Sequence, residues 1–277
     1  MGRQPYRFGL IFAVGALLVC GLAAPALATF VSPKRVMIDD ARRAAQITIH
    51  NGTDKTMVYR FSWENRAQKP GGSIELLAEG ETVPGYKPAQ DMLRFSPRQV
   101  VLKPKSYQKV RILVQRPADL PDGEYHSHFL IEAEPAAGDE GADDAAQPGL
   151  KGVFEIRANV SIPVFMRHGQ TALDMSVTSA VLGKKNGRDM LNVKIANAST
   201  RSVYAKSELE CGQAGGTPKS WTLPTVRIFT EGRSIDRELA IPEDFSASGC
   251  TSLTYKLIGI DDFEYRDRTI AETPVSR

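Results

Sequence analysis

A side-chain period of two recurs along most of this chain, and it constrains the fold more than any other feature. Ala45, Ile47 and Ile49 alternate with Gln46, Thr48 and His50. Asn51-Gly52-Thr53-Asp54 marks a turn, and then Met57, Tyr59, Phe61 and Trp63 alternate with Val58, Arg60 and Ser62. These two runs predict an antiparallel pair with one buried face. Val110, Ile112 and Val114 repeat the pattern, as do Tyr125, Ser127, Phe129 and Ile131 against Glu124, His126, His128 and Leu130. Successive side chains of a strand point to opposite faces, so each run builds a half-buried strand. No stretch combines helical periodicity with caps. The predicted class is all-β, with short strands at the spacing of sandwiches.

Residues 134–149 carry five acids and no large apolar side chain, which predicts a flexible, solvated acidic loop. A long strand follows at once. Phe154, Ile156, Ala158, Val160 and Ile162 share one face, and the strand ends at Arg167-His168-Gly169. A second strand series then includes Leu191, Val193 and Ile195, a turn at Asn197–Thr200, and runs at Val203–Leu209, Thr225–Phe229 and Leu253–Ile258. The predicted division is a first domain over 29–168 and a second over 169–277.

Residues 1–28 predict a secretory signal peptide. Arg3 and Arg7 precede an apolar run from Leu10 to Ala24, and Ala26-Leu27-Ala28 is a cleavage site before Thr29. The run falls short of the roughly 20 apolar residues that span a bilayer. Cleavage removes two arginines and lowers the formal net charge from +3 to +1. So small an excess gives no reason to expect nucleic acid, and any charge chemistry must be local. Removing Cys20 with the signal leaves Cys211 and Cys250, an even pair in an exported chain, which predicts a structural disulfide. The pair lacks the C-x-x-C spacing of a redox or metal motif.

Four segments then carry a resemblance. They are Phe30-Val31-Ser32-Pro33-Lys34-Arg35-Val36, Phe95-Ser96-Pro97 through Leu102-Lys103-Pro104 to Val110-Arg111-Ile112, Leu120-Pro121-Asp122-Gly123-Glu124-Tyr125, and Ile162-Pro163-Val164-Phe165-Met166-Arg167. In this order, between a signal peptide and a second β domain, they resemble the periplasmic chaperones of pilus assembly, the PapD-like proteins. Gly123-Glu124-Tyr125-His126-Ser127-His128 is closer to their divergent, archaic-type branch.

The resemblance implies two immunoglobulin-like sandwiches set in a boomerang. It implies a non-enzymatic chaperone that captures pilus or fimbrial subunits by donor-strand complementation and delivers them to an outer-membrane usher. The implied donor face is Phe154, Ile156, Ala158 and Val160. An exposed donor edge also implies possible self-capping when the chaperone is free. Arg35 matches the arginine that holds the subunit's terminal carboxylate, and a guanidinium fork suits that group. The family's partner lysine falls on Pro163, which donates nothing. By parity His126 and His128 are the expected substitutes, with Lys34 and Arg157 next. Glu124 and Arg167 match a salt bridge near the hinge.

Other functions have less support in the residues. A phosphate loop, G-x-S-x-G and H-E-x-x-H are all absent from the sequence, so no enzyme and no cofactor are expected. His126 and His128 on one face supply half of a zinc site, which keeps a secreted metal-binding or adhesive module as the alternative.

Overall fold

The structure, a computed structural model, describes residues 29–137, 158–260 and 264–276. The signal segment, most of the acidic loop, Phe154, Ile156 and Arg157 lie outside the described residues.

The first half contributes β1 (Phe30–Ser32), β2 (Val36–Ile38), β3 (Ala44–His50), β4 (Met57–Glu64), β5 (Arg66–Gln68), β6 (Ile74–Leu76), β7 (Leu93–Ser96), β8 (Gln99–Leu102), β9 (Tyr107–Val114), β10 (Gly123–Pro135) and β11 (Ala158–His168). The second half contributes β12 (Met175–Lys185), β13 (Arg188–Asn197), β14 (Val203–Gly212), β15 (Lys219–Ile228), β16 (Ser234–Ala240), β17 (Ser252–Gly259) and β18 (Thr269–Pro274). They build two β-sandwiches. The first faces a sheet β1-β3-β9-β7 against a sheet β2-β11-β10-β4-β8, and the second faces β12-β13-β16 against β15-β14-β17-β18. The hairpin β5–β6 stands apart from both sheets of the first sandwich.

The alternating residues fill the cores. Ile47, Ile49, Tyr59, Val110, Ile112, Phe129 and Ile131 are fully buried in the first. Leu191, Val193, Ile195, Ala205, Leu209, Tyr255 and Leu257 do the same in the second. Burial of such side chains contributes roughly 1.5–3 kcal/mol each. Cys211 and Cys250 are bonded, closing a loop of sequence separation 39 inside the second sandwich.

Two expectations need correction. The runs on either side of Asn51 do not pair, because β3 and β4 belong to opposite sheets. The buried Asn51 side chain donates to the carbonyls of Lys55, Leu102 and Lys103, at 2.8, 3.0 and 3.1 Å. Its main-chain N–H donates to Ser106 O at 2.9 Å. These bonds turn the corner towards the β8–β9 connection, so the two apolar faces meet across the core instead of side by side. The second correction concerns the acidic loop, because Glu134 and Pro135 still belong to β10. They pair with Val58 and Met57 of β4, and Glu134 forms an ion pair with Arg60.

β11 positions the candidate site. On one side it pairs with β10 over its whole length, from Ala133↔Ala158 to Gly123↔His168. On the other it meets β2 in parallel register only at Val164, Phe165 and Met166. Among the described residues, Ala158–Pro163 therefore has no ladder partner on its outer side and forms an open sheet edge. Pro163 suits that position, since proline within a sheet is confined to edges and bulges.

Candidate functional site

The site lies where the foot of the open β11 edge meets the second sandwich. A cavity of about 470 Å³ opens there, lined by Lys34 and Arg35 from the β1–β2 connection, Arg66 of β5 and Arg227 of β15. Ser161 and Pro163 of β11 and His128 of β10 complete its wall. No carboxylate lines it among the described residues. Glu64 sits behind the wall, accepting from Arg66 Nε and Ser161 Oγ. The Arg35 guanidinium lies 4.0 Å from the centre of the Tyr204 ring, so a first-sandwich cation stacks on a second-sandwich aromatic. Burial lowers the Arg35 pKa, and Tyr204 opposes the shift without cancelling it. Lys34, Arg35 and Arg227, beside an Arg66 already ion-paired with Glu64, give the cavity a cationic wall that suits an anion.

The two histidines end in different places. His128 is the register partner of Pro163, so it stands beside the position where the resemblance expects a lysine. It is only 4% exposed, its Nδ1 has no hydrogen-bond partner, and burial pushes its pKa down to about 3. Arg66, Arg227 and His126 add to that shift. His128 is therefore a neutral wall group near pH 7 and not a cation.

His126 is fully buried and does not line this cavity. Its Nε2 lies 3.2 Å from Glu231 Oε2, its ring packs against Phe165 and Phe229, and Tyr86 Oη donates to its carbonyl at 3.0 Å. No surface remains on it for a carboxylate ligand. Alternation places His126 and His128 opposite the core, which is correct. That opposite face is not solvated, because the second sandwich covers it.

Glu231 was invisible to sequence reasoning, as were Gln68 and Phe229. Glu231 Oε1 accepts the Gln68 N–H at 2.8 Å, and Gln68 returns its side chain to the second sandwich. Gln68 Nε2 donates to Arg227 O, and Gln68 Oε1 accepts from Phe229 N, both at 2.8 Å. Burial raises the Glu231 pKa, but hydrogen bonds from His126 and the backbone outweigh it, so the carboxyl titrates below its usual range. A lone glutamate in a turn and a lone glutamine after a strand carry no local signal.

Glu124 and Arg167 meet, with Arg167 Nε donating to Glu124 Oε2 at 2.8 Å. The other carboxylate oxygen accepts Ser202 N–H at 2.9 Å, and Arg167 Nη2 donates to Ser202 O at 2.9 Å. The pair thus clamps one peptide of the second sandwich. Ala158 begins β11, and Val160 packs half-buried against the first core beside Ile162 and Val164. The apolar face expected to enter a partner therefore turns inward at Val160. Arg35 lies in the cavity, while His126, Val160 and the Glu124–Arg167 pair lie elsewhere. No grouping of three or more metal-binding side chains occurs among the described residues.

No protein-family model matches the chain, and no curated protein matches it significantly. Solved structures do match over most of its length. The YadV chaperone is similar at 13% identity, covering 90% of this chain and 100% of the other, with a TM-score of 0.47. The CsuC–CsuE chaperone–tip adhesion subunit complex, from archaic Csu pili of Acinetobacter baumannii, is similar at 11% identity, with 90% and 99% coverage and a TM-score of 0.47. The SafB chaperone in complex with the SafA pilin, from Salmonella enterica, is similar at 15% identity, with 92% and 99% coverage and a TM-score of 0.45.

Proposed function

We propose that this protein is a periplasmic chaperone that captures pilus subunits on the β11 edge and passes them to an outer-membrane usher. One observation carries the reading. An edge strand with an open outer side runs straight into a cavity lined by four cations, with no carboxylate in its wall among the described residues. An extended partner segment can add to that edge through main-chain hydrogen bonds, and a carboxylate at its end can enter the cavity. Four sequence segments in family order support the same reading, and so does the export signal.

The anchor differs from the one the sequence suggests. Arg35 is retained as its centre. Arg66, Arg227 and Lys34 take the second place in preference to His126, which is buried outside the cavity, and to His128, which is neutral near pH 7. The donor face expected at Phe154 and Ile156 remains part of the proposal.

Co-expression of the full chain with a pilus-type subunit that lacks its last strand tests the proposal. A stable one-to-one complex is expected. Ile156→Asp should abolish it, since a buried unpaired carboxylate costs several kcal/mol. Wild-type recovery of the subunit by this variant would sink the donor-strand reading.

A further inference from the structure

The joint between the sandwiches holds two buried imidazoles that neither core uses. The core residues on β10 are Tyr125, Phe129, Ile131 and Ala133, and alternation turns His126 and His128 to the other face. That face is dry only because the second sandwich lies on it. The Phe229 ring sits 5.0 Å from the His126 ring and 6.5 Å from the His128 ring, centre to centre. The two imidazoles are 6.2 Å apart, and the Nδ1 of each is buried without a hydrogen-bond partner. His126 Nε2 is held by Glu231, whereas His128 has no side-chain hydrogen bond or ion pair among the described residues.

Charged and titratable groups meet His128 from each element packed on it. His126 shares its strand, Arg66 comes from β5 and Arg227 from β15. Lys34, Arg35 and Tyr204 line the same cavity. The carboxylate beside it among the described residues is Glu64, its register partner on β4, which already accepts from Arg66 and Ser161. A proton on His128 therefore adds a buried charge next to cations, a costly arrangement while the joint is closed. Separating the sandwiches lets water reach the ring and leaves both cores intact. The polar bonds it breaks, such as Gln68 N–H to Glu231 and Phe229 N–H to Gln68 Oε1, both at 2.8 Å, are ones that water can replace.

We propose that this joint is an acid-operated latch: protonation of His128 parts β5 and β10 from residues 227–231 while each sandwich stays folded. Parting takes Arg227 away from Lys34, Arg35 and Arg66, so it dismantles the cationic cavity. In the closed joint burial holds the His128 pKa at about 3 against an ordinary 6.5. An open joint frees the ring, so between these values each pH unit downward favours opening by up to about tenfold. Glu231 does not compete in the upper part of this range, because its hydrogen bonds hold its carboxyl below the usual titration range. The latch does not rest on subunit capture and is tested without a subunit.

The test is amide hydrogen exchange by NMR at pH 6 and pH 5, corrected for intrinsic exchange rates, which registers even a minor open population. Protection of the Gln68 and Phe229 amides should fall about eightfold across this step, while ladder amides of β9 and β14 hold theirs. In His128→Gln and in His128→Phe the joint amides should keep their protection. The His128 ring resonances, followed in the wild type to more acid pH, should move in step with the loss of joint protection. Unchanged joint protection in the wild type overturns the proposal. So does an equal fall in the cores, which would mean that acid acts on the whole fold. An equal fall in both His128 variants overturns it too, as does uptake of the proton by His128 with the joint still protected.

Discussion

At the scale of single residues, the site depends on which side chains stay charged once buried. Arg35 does not titrate in the accessible range, so Arg35→Ala should weaken subunit capture at every pH. A charge-assisted bond contributes about 1.5–3 kcal/mol, or one to two orders of magnitude in affinity. Surface plasmon resonance across pH 5–8 would measure it. His128 behaves in the opposite way. Its folded pKa is pushed down to about 3 from an ordinary 6.5, so the unfolded chain takes up the proton first. Its contribution to stability is complete above pH 6.5 and is lost progressively as pH falls towards 3. Between pH 6.5 and 5 the folded state should lose about 2 kcal/mol on this account. Urea unfolding should show that loss in the wild type and a smaller one in His128→Gln. Equal acid sensitivity in both would mean that His128 is protonated in the folded protein.

At the scale of elements, β11 does two jobs with one strand. Its even-numbered residues Ile162, Val164 and Met166 fill the first core, while its outer backbone edge stays open until β2 joins at Val164. The strand stops at Gly169, whose φ is +60° and where a Cβ would lie 1.9 Å from Asp122 Oδ1. Asp40 Oδ2 accepts Gly169 N–H and Asp122 Oδ2 accepts Gln170 N–H, both at 2.9 Å, so the connection leaves the first sandwich in a defined direction. In the second sandwich β14 and the segment before β17 are tied by Cys211–Cys250. By chain entropy a loop of this length is worth about 4 kcal/mol. Replacing both cysteines by alanine should lower the denaturation midpoint, with the native-state loosening greatest in the second sandwich. Hydrogen exchange resolved by segment would show which sandwich is loosened.

At the scale of the whole molecule, a buried polar interface joins the two sandwiches. Gln68 and His126 come from one, and Glu231, Phe229 and the Arg227 carbonyl from the other. Removing one member of a buried hydrogen-bonded network leaves its partners unsatisfied, at about 1–3 kcal/mol for each group. Glu231→Ala should therefore uncouple the halves, and calorimetry should resolve two transitions in place of one. It should also weaken subunit capture, since Arg227 and Arg35 reach the cationic cavity from different sandwiches. A single transition at the wild-type temperature would show that the joint is held by its apolar contacts alone.

The amino-acid pattern by itself determined the class and the strand faces. Ile47, Tyr59, Ile112, Phe129 and Leu209 are buried because alternation commits one face of each strand to water's exclusion. It also pointed to the bonded pair Cys211–Cys250. Local pattern says which side chains share a face but not what covers that face or which strand lies alongside. Only the tertiary structure decided that β3 and β4 lie in opposite sheets, with buried Asn51 turning the corner. It alone set the second sandwich over His126 and His128, which buries both. It alone brought Lys34, Arg35, Arg66 and Arg227 around one cavity. Arg66 and Arg227 are far in sequence from the Lys34-Arg35 pair, and Arg227 reaches them only through the docking of two separately closed cores, a long-range event with no local periodicity to announce it.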